Sequence, residues 1–175
     1  MTNLDKKPQN YSYEKVKEKI TNCSNPIAKQ IGALAYASGS RVSELNKIKK
    51  IDIQEDKGGD YLNISCIVLK KKYKTKENQN RIAVVRLDED WLVHPIMDLM
   101  RGKEDEDILI PMYRMKIYRI LMKEFGFNPH FFRALRATHL SQLGYSAHQL
   151  KHFFGWSSIS PSDYYVGLNT EDLKY

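Results

Sequence analysis

One change of hydrophobic period constrains this chain more than any other feature. Across residues 61–69, Leu62, Ile64, Cys66 and Val68 fall at every second position, the pattern of a strand with one apolar face. Elsewhere the apolar residues recur at helical spacing. Ile27, Ile31, Leu34 and Ala35 form one stripe after Asn25-Pro26, where asparagine can cap a helix and proline can fill its first position. Gly39-Ser40 interrupts the stripe, and Arg41-Val42-Ser43-Glu44-Leu45 begins another helical segment. A second strand is expected at Arg81–Leu87 and a short first strand at Ile51–Gln54, with Gly58-Gly59 as a turn. The pattern predicts a mainly α fold with a small antiparallel β-sheet.

Further helices are expected over residues 13–20, from a cap at Asp88 or Asp90 toward Met100, over Tyr113–Glu124, and from Pro129 to Leu143 with Gly144 as the stop. Ser146 with Gln149, and Ser160-Pro161 with Asp163, have the look of capping boxes. A length of 175 residues suits one substantial core. Residues 1–12 read as a flexible N-terminal segment and residues 13–175 as a single domain.

The net charge of +7 is unevenly spread: residues 41–86 carry +6 and residues 87–107 carry −6. A basic face of this kind suits a polyanion. Lys70, Lys71, Lys72, Lys74 and Lys76 crowd into seven residues between the two expected strands. With Arg81 they are the candidate DNA-binding set, although lysines also protect exposed strand edges. The two cysteines, Cys23 and Cys66, suggest no disulfide framework. No signal peptide or apolar run of membrane-spanning length is present, so a cytoplasmic location is expected, at the nucleoid or, for a virus-encoded protein, in the host cytoplasm.

The residues with chemistry to offer lie mostly in the run from Pro129 to Tyr165. His130 and Arg133 share a helix face, and Arg136 with His139 repeats that spacing, here read as surface or edge residues. Tyr165 follows an expected helix start, where a phenol can be held at a defined position. A phenol is a weak nucleophile unless cationic groups favour phenolate or take its proton, and guanidinium forks suit a transferring phosphate. Tyr164 is the rival, about 100° round the helix. His148 and His152 have ligand-like spacing but no accompanying metal pattern. No phosphate-binding glycine loop is present. No cofactor is expected.

Taken together, these residues resemble the catalytic domain of the tyrosine recombinase/integrase family. Ala37-Ser38-Gly39-Ser40-Arg41-Val42-Ser43-Glu44-Leu45 is similar to the family's first arginine motif, which makes Arg41 a catalytic arginine and Glu44 its supporting acid. Pro129-His130-Phe131-Phe132-Arg133 is similar to its His-x-x-Arg helix, and Gly155-Trp156-Ser157-Ser158 to a segment usually read as Gly-His-Ser-Ser. Tyr165, nine residues past Trp156, takes the nucleophile's place. The resemblance covers roughly residues 25–166 and also implies a lysine in the turn between two strands, Lys76 ahead of Lys74.

What the resemblance implies is DNA strand cleavage and rejoining through a 3′-phosphotyrosyl intermediate, on double-stranded DNA, by a homotetramer on paired sites. It also implies an N-terminal core-binding domain, for which there is too little chain before Arg41. Trp156 departs from the family's usual histidine: an indole donates one hydrogen bond but cannot shuttle a proton. Two other readings share these residues, a type IB topoisomerase-like enzyme and a non-catalytic DNA-binding module.

Overall fold

Helix α2 (Pro26–Ser38) is the axis of the protein, and its sequence explains why. Asn25 caps it through bonds from the Ile27 and Ala28 amides at 3.1 and 3.2 Å, with Pro26 in the first turn. From Ile31 to Ser38 every residue is buried. A helix apolar on all sides must be surrounded, and α2 packs against α1 (Tyr13–Thr21), α4 (Asp90–Met100), α5 (Arg114–Phe125), α6 (Pro129–Gln142) and the sheet. The computed structural model describes residues 7–69 and 80–171. Among the described residues no helix is long and apolar enough to cross a membrane.

The alternating segment forms the sheet. Strands β1 (Ile53–Glu55), β2 (Tyr61–Ile67) and β3 (Asn80–Arg86) pair antiparallel in the order β1-β2-β3. Register sets Ile64 opposite both Ile53 and Ala83, and Leu62 opposite Val85, so one face is apolar and turned to the core. A 3-10 turn at Lys50–Asp52 occupies the start of the expected first strand.

The remaining helices among the described residues are the short α3 (Val42–Leu45) and α7 (Ala147–Phe154), and α8 (Ser160–Glu171). Ser146 and Gln149 form the expected capping box on α7. Other ends differ from expectation. Glu89, not Asp88 or Asp90, stands at the cap position of α4; its carboxylate accepts from Tyr13 Oη at 2.7 Å and the Arg86 amide at 3.3 Å. At α8, Ser160 is already helical, and the Ile159 carbonyl accepts from the Ser162 and Asp163 amides. The N-terminal segment is seated from Pro8 onward. Tyr11 packs edge-on against Phe127 and Phe131 with centroids 4.9 and 5.7 Å apart, contacts worth about 0.5–1.5 kcal/mol each beyond their area.

Candidate active site

Two helix ends meet to make the floor of the site. Helix α2 stops at Gly39 (φ 57°) and α7 at Gly155 (φ 62°), left-handed positions that cost glycine nothing. Space demands glycine as well. A Cβ on Gly39 would lie 2.4 Å from the Phe154 ring, and one on Gly155 would lie 2.8 Å from Val68 Cγ2.

The last carbonyls of both helices are then taken by one guanidinium. Arg133 Nη1 donates to Gly39 O at 2.6 Å and Nη2 to Phe154 O at 2.7 Å. Helix C-termini leave such carbonyls unpaired and carry partial negative charge, so an arginine fork suits them. The guanidinium also lies over the Phe154 and Trp156 rings, 4.9 and 5.7 Å from their centroids. Burial, with Arg81 and Arg41 nearby, pulls its pKa down to about 9. It stays charged at neutral pH, desolvated and beside like charges, an arrangement that favours an incoming anion.

Arg41 enters from the turn after Gly39. Glu44 fixes it twice: one carboxylate oxygen accepts from the Arg41 amide at 3.0 Å and the other from Nη1 at 2.8 Å. The Glu44 side chain is fully buried whereas that of Arg41 is 29% exposed. The acid is thus committed to the protein and the guanidinium keeps donors facing out.

Trp156 follows Gly155 and stacks on Phe154 at 4.8 Å. The Tyr165 ring lies parallel to the indole at 5.8 Å, with an interplanar angle of 1°, and the Tyr165 carbonyl accepts from Ser141 Oγ at 2.9 Å. Burial raises the Tyr165 pKa, the Arg133 charge opposes that, and Tyr164 adds to it; the phenol is protonated at neutral pH. Tyr164 is 60% exposed and meets Tyr165 edge-on. A cavity of about 270 Å³ is lined by Arg41, His130, Arg133, Trp156, Tyr164 and Tyr165, with Ala134 and Pro161. His130 sits exposed at the start of α6.

Expectation and structure part at Arg81 and at the pair Arg136 and His139. Arg81 is not a surface residue for DNA: its side chain is 2% exposed, with Nη1 donating to Ser38 O at 2.8 Å and Phe153 O at 2.6 Å, and Nη2 to Ser40 Oγ at 3.1 Å. The signal was present in the alternation, since Arg81 shares the inward phase of Ala83 and Val85. Arg136 and His139 are interior, 3% and 1% exposed. His139 bonds Tyr36 Oη at 2.6 Å and Tyr11 O at 2.7 Å, while Arg136 donates to Val84 O and faces Glu89 at 3.7 Å. Lys70, Lys71, Lys72, Lys74 and Lys76 lie outside the described residues.

Comparison with known proteins bears on the family and the fold. The profile of the phage integrase family matches residues 12–172. Tyrosine recombinase XerC of Nitrobacter winogradskyi is 28% identical over 150 residues, covering 81% of this chain and 46% of that protein. Tyrosine recombinase XerA of Thermococcus kodakarensis is 27% identical over 154 residues, covering 81% and 51%. The chain thus spans about half the length of the curated relatives it matches. Among solved structures, the XerH site-specific recombinase in its pre-cleavage complex with difH substrate superposes with a TM-score of 0.66 at 16% identity, over 99% of this chain and 51% of that one. The catalytic domain of bacteriophage HP1 integrase gives 0.57 at 19% identity, over 90% and 86%. At such identities the structural likeness speaks for the fold.

Proposed function

The chain belongs to the phage integrase family, and from that premise we propose that it cuts and rejoins DNA strands as the catalytic part of a tyrosine-type site-specific recombinase. The observation that carries the reading is the single cavity shared by Arg41, His130, Arg133, Trp156 and Tyr165.

In the proposed step the Tyr165 hydroxyl oxygen attacks a backbone phosphorus. A 3′-phosphotyrosyl bond forms as the bond to the 5′-oxygen breaks. The phenolic proton leaves with help from His130, and Lys76 or Lys74 supplies the proton that the departing 5′-oxygen takes. Arg41 and Arg133 neutralise charge on the five-coordinate phosphate, where fixed donors act most strongly. Glu44 orients Arg41, and Trp156 offers its N–H to a non-bridging oxygen. One phosphodiester is exchanged for another, so attack by a 5′-hydroxyl from a partner strand reverses the chemistry and completes strand exchange. Four copies on two paired sites, with a DNA-clamping domain N-terminal to this one, are the assembly this chemistry calls for, acting in the cytoplasm where the DNA is.

The test uses a pool of nicked duplexes with randomised sequence around the nick, so that cleavage loses a short strand and the adduct is trapped. Wild type and Tyr164→Phe are expected to form a covalent protein–DNA adduct and Tyr165→Phe none. Adduct retained by Tyr165→Phe and lost by Tyr164→Phe would overturn the assignment.

A further inference from the structure

Arg133 is not the only guanidinium joining the two helix ends. It takes Gly39 O and Phe154 O, while Arg81 takes the preceding carbonyl of each, Ser38 O and Phe153 O. Two arginines from different elements, α6 and β3, therefore lace the same two chain segments in parallel. Arg133 stands on the cavity side; Arg81 stands behind it.

Arg81 also touches both turns that deliver site residues. Its Nη2 reaches Ser40 Oγ at 3.1 Å, next to Arg41, and lies 3.9 Å from the Glu44 carboxylate that holds Arg41. Its aliphatic stem fills the place beside Gly155, where an added Cβ would come within 3.0 Å of Arg81 Cδ. Gly155 leads directly into Trp156. The planar fork of arginine can serve two carbonyls and a hydroxyl at once, which a lysine ammonium cannot do with the same geometry.

We propose that Arg81 is a positioning residue of the active site: it holds the Arg41 turn and the Trp156 turn in register with each other without touching DNA. The proposal rests on the recombinase reading for its catalytic consequence, but the register itself is a property of the folded chain. Burial fixes the expected signature. Arg81 is shielded from solvent, so its loss leaves DNA affinity alone and slows only the chemical step. A displacement of about 1 Å in a reacting constellation costs about 10²-fold in rate.

The experiment has two arms on the full chain, run at a temperature where circular dichroism shows every variant folded. In the first, Arg81→Met is expected to bind the nicked duplexes as wild type does and to form adduct about 10²-fold more slowly, with Arg81→Lys recovering part of the rate. The second needs no DNA. In a Trp91→Phe background Trp156 is the sole tryptophan, and Arg81→Met is expected to increase acrylamide quenching of its emission, with Arg81→Lys intermediate. Should Arg81→Met not fold, Arg81→Lys carries both arms. Unchanged adduct rate together with unchanged quenching overturns the proposal. If wild type forms no adduct, the recombinase reading fails, and the quenching arm alone decides the role of Arg81.

Discussion

Helix α6 carries the same pair of residue types at the same spacing twice, and the two pairs live in different worlds. His130 and Arg133 line the cavity. Arg136 and His139, one turn further on, are sealed into the core, where His139 ties Tyr36 and Tyr11 together and Arg136 lies over the Tyr36 ring at 5.1 Å. Both arginines are almost fully buried. What separates them is the neighbourhood of each guanidinium. Arg133 stands among Arg41 and Arg81, which Glu44 only partly offsets, a surplus of positive charge; Arg136 faces Glu89, its charge already answered inside the protein. A buried cation with an internal counter-charge is structure, and one among other cations awaits an anion.

The sharpest way to break that contrast is to shorten both arginines alike. Arg133→Lys is expected to slow adduct formation about 10³-fold, some 4 kcal/mol of transition-state stabilisation at an electrostatic site. Arg136→Lys should leave the adduct rate of the folded protein unchanged and lower its unfolding free energy by about 2–3 kcal/mol, the cost of a misfitted buried charge. Urea titration beside single-turnover adduct formation reads both quantities. An Arg136→Lys protein as slow as Arg133→Lys, at equal fraction folded, erases the distinction.

The histidines sharpen it further. His139→Ala abandons Tyr36 Oη and leaves a void in the core, and should cost about 2–4 kcal/mol of stability. His130 is exposed, so its alanine variant should unfold within about 0.5 kcal/mol of wild type while forming adduct about 10²-fold more slowly, the usual worth of a positioned proton-transfer group.

The same contrast shows what the chain declares before folding. Elements set by neighbours in sequence were legible: Asn25-Pro26 and Ser146 with Gln149 start helices where local capping chemistry says they should. The cavity residues were legible because His130, Arg133 and Tyr165 fall in the order of the motifs that the sequence resembles, with Trp156 where a histidine is usual. The interior pair was not, since the partners of His139 lie 103 and 128 residues away and no local pattern announces them. Arg81 falls between these cases. Its inward phase could be read from Ala83 and Val85, yet the nearby lysines drew it to the surface set.

The smallest expected effect is the dependence of stability on pH that the buried histidine imposes. Burial pushes the His139 pKa below its ordinary value, the Arg136 charge pushes the same way, and the bond to Tyr11 O only partly opposes them. The unfolded chain therefore binds a proton at a higher pH than the folded one. Above the ordinary imidazole value, 6.5, both states are neutral and the contribution of His139 is complete. As pH falls below 6.5 the unfolded chain takes up protons first, so stability declines until the folded imidazole titrates as well. The measurement is a difference that isolates this one imidazole: urea unfolding of wild type and His139→Gln between pH 7.5 and 5. Wild type should lose stability more steeply than the glutamine variant across that range. Parallel curves would mean that His139 takes up its proton in the core as readily as in the unfolded chain, and that the two halves of α6 are less different than their partners make them.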